Sequence, residues 1–332
     1  MITPNVKQPS HSTHVTISFL VGLALIGILF LSGCGRSERS PTSDGKVYSV
    51  SINQFAPHPI LDAVYVGLMK RLSEEPAIQV VTKNANGDRV ICQQINEQFF
   101  QGKTDLIVAL GTPAAQSAVS VTKGVIPVVF GAITDPVGAK LADSLEHPGG
   151  NKTGTTNRWP FRKQVTLLRT LFPTLKRVGV IVNPSEANCE SGMVVIREAA
   201  KALGLELAEI PVTVSAEVVP AVEALRGKAD VILISPSNDV YVALDALLAA
   251  ALRLGLPVVG GDESAVSRGS LATYGFSNED VGRATGECVV QILKGKRQAG
   301  DIPISAPPTP KLYLNRDRLA ACKVAIPSEL GK

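Results

Sequence analysis

The sequence is short of the residues that most often announce chemistry. One tryptophan and an aromatic content of 5% leave too few rings to stack a run of bases or to line an extended sugar groove. Four histidines and five cysteines are scattered, with no C-x-x-C pair, no H-E-x-x-H and no Cys/His spacing suited to a metal, so neither a metal nor a cofactor is expected. There is no G-x-G-x-x-G after a strand, no G-x-x-x-x-G-K-[ST] and no G-x-S-x-G elbow. Dehydrogenase, nucleotide hydrolase, serine hydrolase and metalloprotease chemistry all lose their usual signatures, and the chain is not expected to be an enzyme. Basic residues outnumber acidic ones only 33 to 29 and are interspersed with them, which removes the basic block that tracks a phosphate backbone and with it nucleic acid as a partner. Five cysteines in 332 residues are too few for a disulfide framework. Cys92, Cys189, Cys288 and Cys322 read most simply as buried thiols, with pairing left open in an oxidising compartment.

What the chain does have is one long apolar run, at its start. Met1 to His14 is polar with a single lysine, and Val15 to Leu31 is apolar apart from Thr, Ser and Gly. That run is somewhat shorter than the roughly 20 residues of a spanning helix and ends in Leu31-Ser32-Gly33-Cys34, which resembles a bacterial lipobox. Residues 1–33 are therefore expected to be a lipoprotein signal peptide, with Cys34 acylated. An uncleaved N-terminal anchor helix is the competing reading, and both place the remainder outside the cytoplasmic membrane. The expected location is the cell envelope, either the outer face of the cytoplasmic membrane or the periplasm and outer membrane. Residues 34–45, rich in Ser, Arg and Pro without apolar periodicity, read as a flexible tether.

From Lys46 the pattern changes to alternating short apolar runs and amphipathic stretches. Val47–Ile52, Ile78–Val81, Asp105–Leu110, Pro127–Phe130, Arg177–Val182, Leu205–Glu209, Asp230–Ser235 and Leu256–Val259 are strand candidates. Leu61, Val64, Tyr65, Leu68, Met69 and Leu72 keep helical spacing, as do Glu186–Leu203, Asn238–Leu254 and Asp280–Leu293. Such alternation predicts an α/β protein with parallel sheets covered by helices on both faces. The length exceeds what one core usually serves, so two similar lobes are expected, with a first boundary near Thr155 after the turn His147-Pro148-Gly149-Gly150-Asn151. Parallel sheets bind ligands beyond the carboxyl ends of their strands, and the polar loops at those ends carry the candidate site.

Those loops are also where a family resemblance becomes visible. His58-Pro59-Ile60-Leu61-Asp62, Thr112-Pro113-Ala114-Ala115-Gln116, Thr134-Asp135-Pro136-Val137-Gly138-Ala139, Asn183-Pro184-Ser185-Glu186-Ala187-Asn188 and Gly261-Asp262-Glu263-Ser264 occur in order. With them the chain, from Val47 almost to its end, resembles the substrate-binding lipoproteins of ABC importers typified by tryptophan- and tyrosine-binding members. The resemblance implies a type I periplasmic-binding-protein fold, two lobes joined by a three-crossover hinge around a ligand cleft. It implies a first lobe of residues 46–155 and 279–306 and a second of residues 156–278 and 307–332. It further implies a monomer that delivers a small molecule to ABC permease subunits, with an amino acid or similar zwitterion as the expected ligand. A sugar or nucleoside ligand, a ligand-sensing lipoprotein and a transcription-factor sensor core are the competing readings; the leader and the missing helix-turn-helix count against the last.

The residues themselves supply candidate contacts. Thr112-Pro113 starts a helix whose free N–H groups, at Ala114 and Ala115, suit a carboxylate, although helix capping alone explains the pair equally well. Ser185, Asn188, Ser237 and Asn238 offer short polar side chains from the second half, again with capping as the plain alternative. Asp262, after two glycines, is the expected partner of a ligand ammonium group. Gln54 and His58 follow the first strand, and Trp159, with Phe55, Tyr241 and Tyr274, is the candidate apolar wall.

Overall fold

The computed structural model describes residues 45–306, 310–328 and 330. The expected signal peptide, Cys34 and the tether lie outside the described residues. The chain first lays down β1 (Tyr48–Gln54), α1 (Pro59–Ser73), β2 (Ile78–Asn84), α2 (Arg89–Gln101), β3 (Leu106–Leu110), α3 (Thr112–Thr122), β4 (Val128–Ile133) and β5 (Lys152–Thr156). The five strands are parallel in the order β2-β1-β3-β4-β5. Every residue of β3 and β4 is buried, as their unbroken apolar sequences require of strands covered on both faces.

A second sheet follows. Its elements are α4 (Phe161–Leu171), β6 (Arg177–Val182), α5 (Ala187–Ala202), β7 (Glu206–Pro211), α6 (Val218–Ala224), β8 (Val231–Ile234), α7 (Asn238–Val242), α8 (Leu244–Arg253) and β9 (Val258–Gly260). These four strands are also parallel, in the order β7-β6-β8-β9. The remaining elements are α9 (Glu263–Arg268), β10 (Ala272–Gly275), α10 (Asn278–Leu293), β11 (Lys311–Leu314) and α11 (Arg316–Ala321). β11 pairs antiparallel with β10 beside the second sheet.

Helix α10 crosses back to the first sheet, where it lies against α1 closely enough that glycine is needed on both sides. A Cβ on Gly67 would fall 1.9 Å from the Glu279 carbonyl oxygen, and one on Gly282 would fall 2.0 Å from that of Val64. On its other side the Thr285 hydroxyl meets that of Thr155 at 2.8 Å. Beyond α10 the chain bonds to β5 once more, Ser305 N donating to Gly154 O at 3.1 Å, before it continues to β11.

The elements that sequence periodicity missed are informative. β5, Lys-Thr-Gly-Thr-Thr, looks like a loop, yet it is buried because its hydroxyls find partners: Thr153 donates to Ile302 O at 2.6 Å. The amphipathic stretch 238–254, expected as one helix, is two, because Ala243 leaves helical backbone at φ −96°, ψ 15°. Cys92, Cys189 and Cys288 are buried free thiols and Cys322 is half-buried and free. Burial pushes the Cys92 thiol up to about 11 and those of Cys189 and Cys288 up to about 12, which keeps them protonated and unreactive.

Candidate functional site

In each sheet the strand order reverses between two neighbours, β1 and β3 in the first, β6 and β8 in the second. At such switch points the loops diverge and leave a crevice beyond the strand ends. The two crevices face one another. His58 comes from the loop after β1, Thr112 from the end of β3, Asn188 from α5 after β6, and Ser237 and Asn238 from the loop and helix after β8. Together with Trp159, Asn157, Thr134 and Tyr241 they line one cavity, which encloses about 30 Å³.

Local structure fixes what each side chain can offer. His58 is the N-cap of α1, and its Nδ1 accepts from Leu61 N at 3.4 Å. The proton of a neutral ring must then sit on Nε2, which donates to Asn238 Oδ1 at 3.2 Å across the two sheets. Burial holds His58 down at about 4, so this neutral tautomer persists at physiological pH. Because its oxygen is engaged, Asn238 is left with its Nδ2 unpaired.

Asn188 shows the opposite polarity. Its Nδ2 donates to Pro236 O at 2.6 Å and to Glu186 Oε2 at 3.2 Å, which leaves Oδ1 without a partner. Asn157 Oδ1 is unpaired as well. One unpaired donor and two unpaired acceptors, all buried in one cavity, constitute a polar demand that a folded protein rarely leaves unmet. Helix α3 adds a further donor. It begins at Gly111 (φ 93°) without a side-chain cap, and Ala115 N is the first amide to enter the helical ladder, donating to Gly111 O at 3.0 Å. The amide of Ala114 is left outside that ladder next to Thr112.

The cavity has one aromatic wall. Trp159 is 5.6 Å from Tyr241 and 5.9 Å from Phe161 between ring centroids, and Tyr241 is 5.6 Å from His58. Phe55 instead packs beneath Gly111, and Tyr274 lies under the Lys163 ammonium. Neither lines the cavity.

Of the candidates read from sequence, His58, Thr112, Trp159, Asn188, Ser237 and Asn238 come together there. The others stand apart from the lining. Gln54 donates to Ala56 O at 2.9 Å and Asp62 Oδ1 at 2.7 Å and so shapes the loop that carries His58. The Ala114 and Ala115 side chains are fully buried within the first sheet's core. Ser185 is taken up by Asn183 Oδ1, at 2.9 Å from its N and 2.7 Å from its hydroxyl.

Asp262 lies one layer behind the wall, a different place from that expected of an ammonium partner. It accepts from Tyr241 OH at 3.2 Å, Ser264 OH at 2.7 Å, Ala265 N at 3.1 Å and the Asn278 amide. With both oxygens engaged it steadies Tyr241 and ties α9 to the start of α10. Asn157 escaped the sequence reading, and Thr134 and Glu186 lie in loops it singled out without being given a contact. Asn157 follows β5, the strand that looked like a loop, and Glu186 sits in a turn whose folded partner, α7, is some 50 residues away in sequence.

Two further bonds span the cleft. Arg89 Nη2 donates to Ser185 O at 2.9 Å, and the Ser191 hydroxyl to Asp135 Oδ2 at 2.5 Å. With His58 and Asn238 they hold the two halves together around the cavity.

Two parallel α/β sheets with facing switch points, a lined cleft between them and helix α10 returned to the first half define a two-lobed solute-binding protein of the type I periplasmic-binding-protein fold. Residues 49–332 match the family described as ABC transporter substrate binding protein, and the chain belongs to that family. Its members bind solutes rather than transform them. The chain is similar to a tyrosine-binding protein of Clostridioides difficile, 33% identical over 314 residues that cover 91% of this chain and 90% of that protein. It is also similar to the ABC domain of Streptococcus pneumonia in complex with L-Trp, at 29% identity and a TM-score of 0.82, with 86% of this chain and 97% of that one covered. A ligand-free, open substrate binding protein with adhesive properties from Clostridium difficile gives a TM-score of 0.63 at 33% identity, over 85% of this chain and 97% of that one. The more identical of these two structures, the open one, superposes less well, and in this chain three bonds hold the halves together across the cleft.

Proposed function

We propose that this protein is an extracytoplasmic lipoprotein, held by lipid on Cys34, that delivers an amino acid to the permease of an ABC importer. The ligand class rests on one observation above the others: a single buried cavity holds two unpaired amide oxygens, an unpaired amide nitrogen and a helix start, beside a wall of Trp159 and Tyr241. A zwitterion with an apolar side chain meets each of these demands. Its carboxylate accepts from Ala114 N, Thr112 OH and Asn238 Nδ2, its ammonium donates to Asn188 and Asn157, and its side chain packs on the wall. The tyrosine-binding relative and the L-Trp complex agree with an aromatic amino acid.

The cavity as closed has room for only about two waters, so a ligand enters by parting the lobes, residues 46–155 and 279–306 from residues 156–278 and 307–332. Ligand contact with both lobes then favours a closed state that leaves more room in the cleft than this one. A thermal-shift screen of the segment from Lys46 onward tests the ligand class, because a ligand that binds only the native state raises its melting temperature. L-Tryptophan or L-tyrosine is expected to give the largest shift among amino acids, sugars and nucleosides. Shifts with sugars or nucleosides alone would sink the amino-acid reading.

A further inference from the structure

Glu186 is a buried carboxylate, 2% exposed, for which helix capping is only part of an explanation. It stands at the N-cap of α5 but caps none of that helix's backbone amides. Its oxygens turn to α7 instead, accepting from Asn238 N at 2.7 Å and Asp239 N at 3.3 Å, and Oε2 also accepts from Asn188 Nδ2 at 3.2 Å. One carboxylate thus fixes both cleft amides. It anchors the backbone of Asn238, and by occupying the Asn188 nitrogen it leaves the Asn188 oxygen, on a residue that lines the cavity, without a partner.

The charge around it is unbalanced. From α7 the neighbouring Asp239 is of like sign, and on α5 itself the next groups are Cys189, a buried thiol, and Glu190. Across the cleft, His58 reaches Asn238 as a neutral ring, and Arg89 of α2 spends its guanidinium on the Ser185 carbonyl. None of these groups forms an ion pair with Glu186.

We propose that Glu186 is a positioning residue that supplies the cleft's negative charge for a ligand ammonium group, acting through the Asn188 amide it orients. This rests on the amino-acid reading above and deepens it, since it makes the free amine, rather than the ring, the feature the cleft selects by charge. An ammonium on Asn188 Oδ1 polarises the amide, strengthens its N–H bond to the carboxylate and provides the missing opposite charge. Burial, with the like charge of Asp239, pushes Glu186 above the usual carboxylate range, which favours its holding a proton in the ligand-free protein. A bound ammonium favours the ionised form, and the proton leaves for solvent as the ligand binds.

Titration calorimetry of the full chain in detergent, with L-tryptophan and with indole-3-propionate, which lacks the amine, tests this. The wild type is expected to prefer L-tryptophan by at least about tenfold. It should also release a fraction of a proton at pH 7, seen as a dependence of heat on buffer ionisation enthalpy, and release none with indole-3-propionate. Glu186→Gln is expected to lose most of the preference for the amine, read as the ratio of its two affinities, and to bind L-tryptophan without proton release. Should that variant fold poorly, the wild-type preference for the amine and its proton count decide together. Binding of L-tryptophan without proton release, or a full amine preference in Glu186→Gln, overturns the role of Glu186 and leaves the amino-acid reading intact. Failure of the wild type to bind any amino acid overturns both.

Discussion

Gly282→Ala is expected to lower the unfolding free energy by about 3 kcal/mol, the upper end of what overpacking costs in a close-packed interior. The added methyl would lie 2.0 Å from the Val64 carbonyl oxygen and 2.8 Å from Leu68 N. Both are backbone atoms of α1, which cannot rotate away as a side chain could. Relief requires α10 to move bodily from α1, and that strains the polar bonds it makes along and beyond the interface. Those are Thr285 to Thr155 at 2.8 Å and the cluster in which Arg71 meets Glu287 at 2.8 Å and Glu75 at 2.9 Å while Lys294 meets Glu75 at 2.5 Å. Chemical denaturation with linear extrapolation measures the loss. Gly87→Ala is the control, because a Cβ there meets nothing within 4 Å, although its φ of 81° brings some backbone strain.

Trp159→Ala is expected to weaken amino-acid binding by about 30- to 100-fold, the scale of a buried aromatic hot spot. Trp159 is 5% exposed and supported by Phe161 on one side and Tyr241 on the other. Its removal deletes the wall against which a ligand side chain packs and leaves space that the closed lobes cannot refill. Trp159→Phe keeps an apolar ring and is expected to lose about tenfold or less. Titration calorimetry with L-tryptophan and with L-alanine separates the wall from the polar anchors: the loss should be large for the aromatic ligand and small for L-alanine, whose methyl does not reach across a ring. Equal losses for both would assign Trp159 to the stability of the closed state.

Much of the fold was legible because parallel strands buried on both faces must be apolar throughout, and Leu106–Leu110 and Arg177–Val182 declare themselves that way. β5 did not, because its threonines hide their polarity in hydrogen bonds to residues far along the chain, such as Thr153 to Ile302. The cavity residues were legible for a topological reason. Thr112, Asn188, Ser237 and Asn238 follow strands at the two switch points, and sequence patterns locate strand ends well. Asp262 follows a strand too, but β9 lies at the edge of its sheet rather than at the reversal, which places its carboxylate behind Tyr241. Glu186 stands in a segment the sequence singles out, but its role was not legible because it consists of bonds to Asn238 and Asp239, which only the folded chain brings to it.

In a crystal structure of the segment from Lys46 onward with L-tryptophan, the amino acid is expected in the cavity between the two sheets. Its carboxylate should lie on Thr112 and Ala114 N, its ammonium within hydrogen-bond distance of Asn188 Oδ1, and its ring against Trp159 and Tyr241. A ligand bound outside this cavity, or one inside it with the ammonium turned away from Asn188, would contradict that placement.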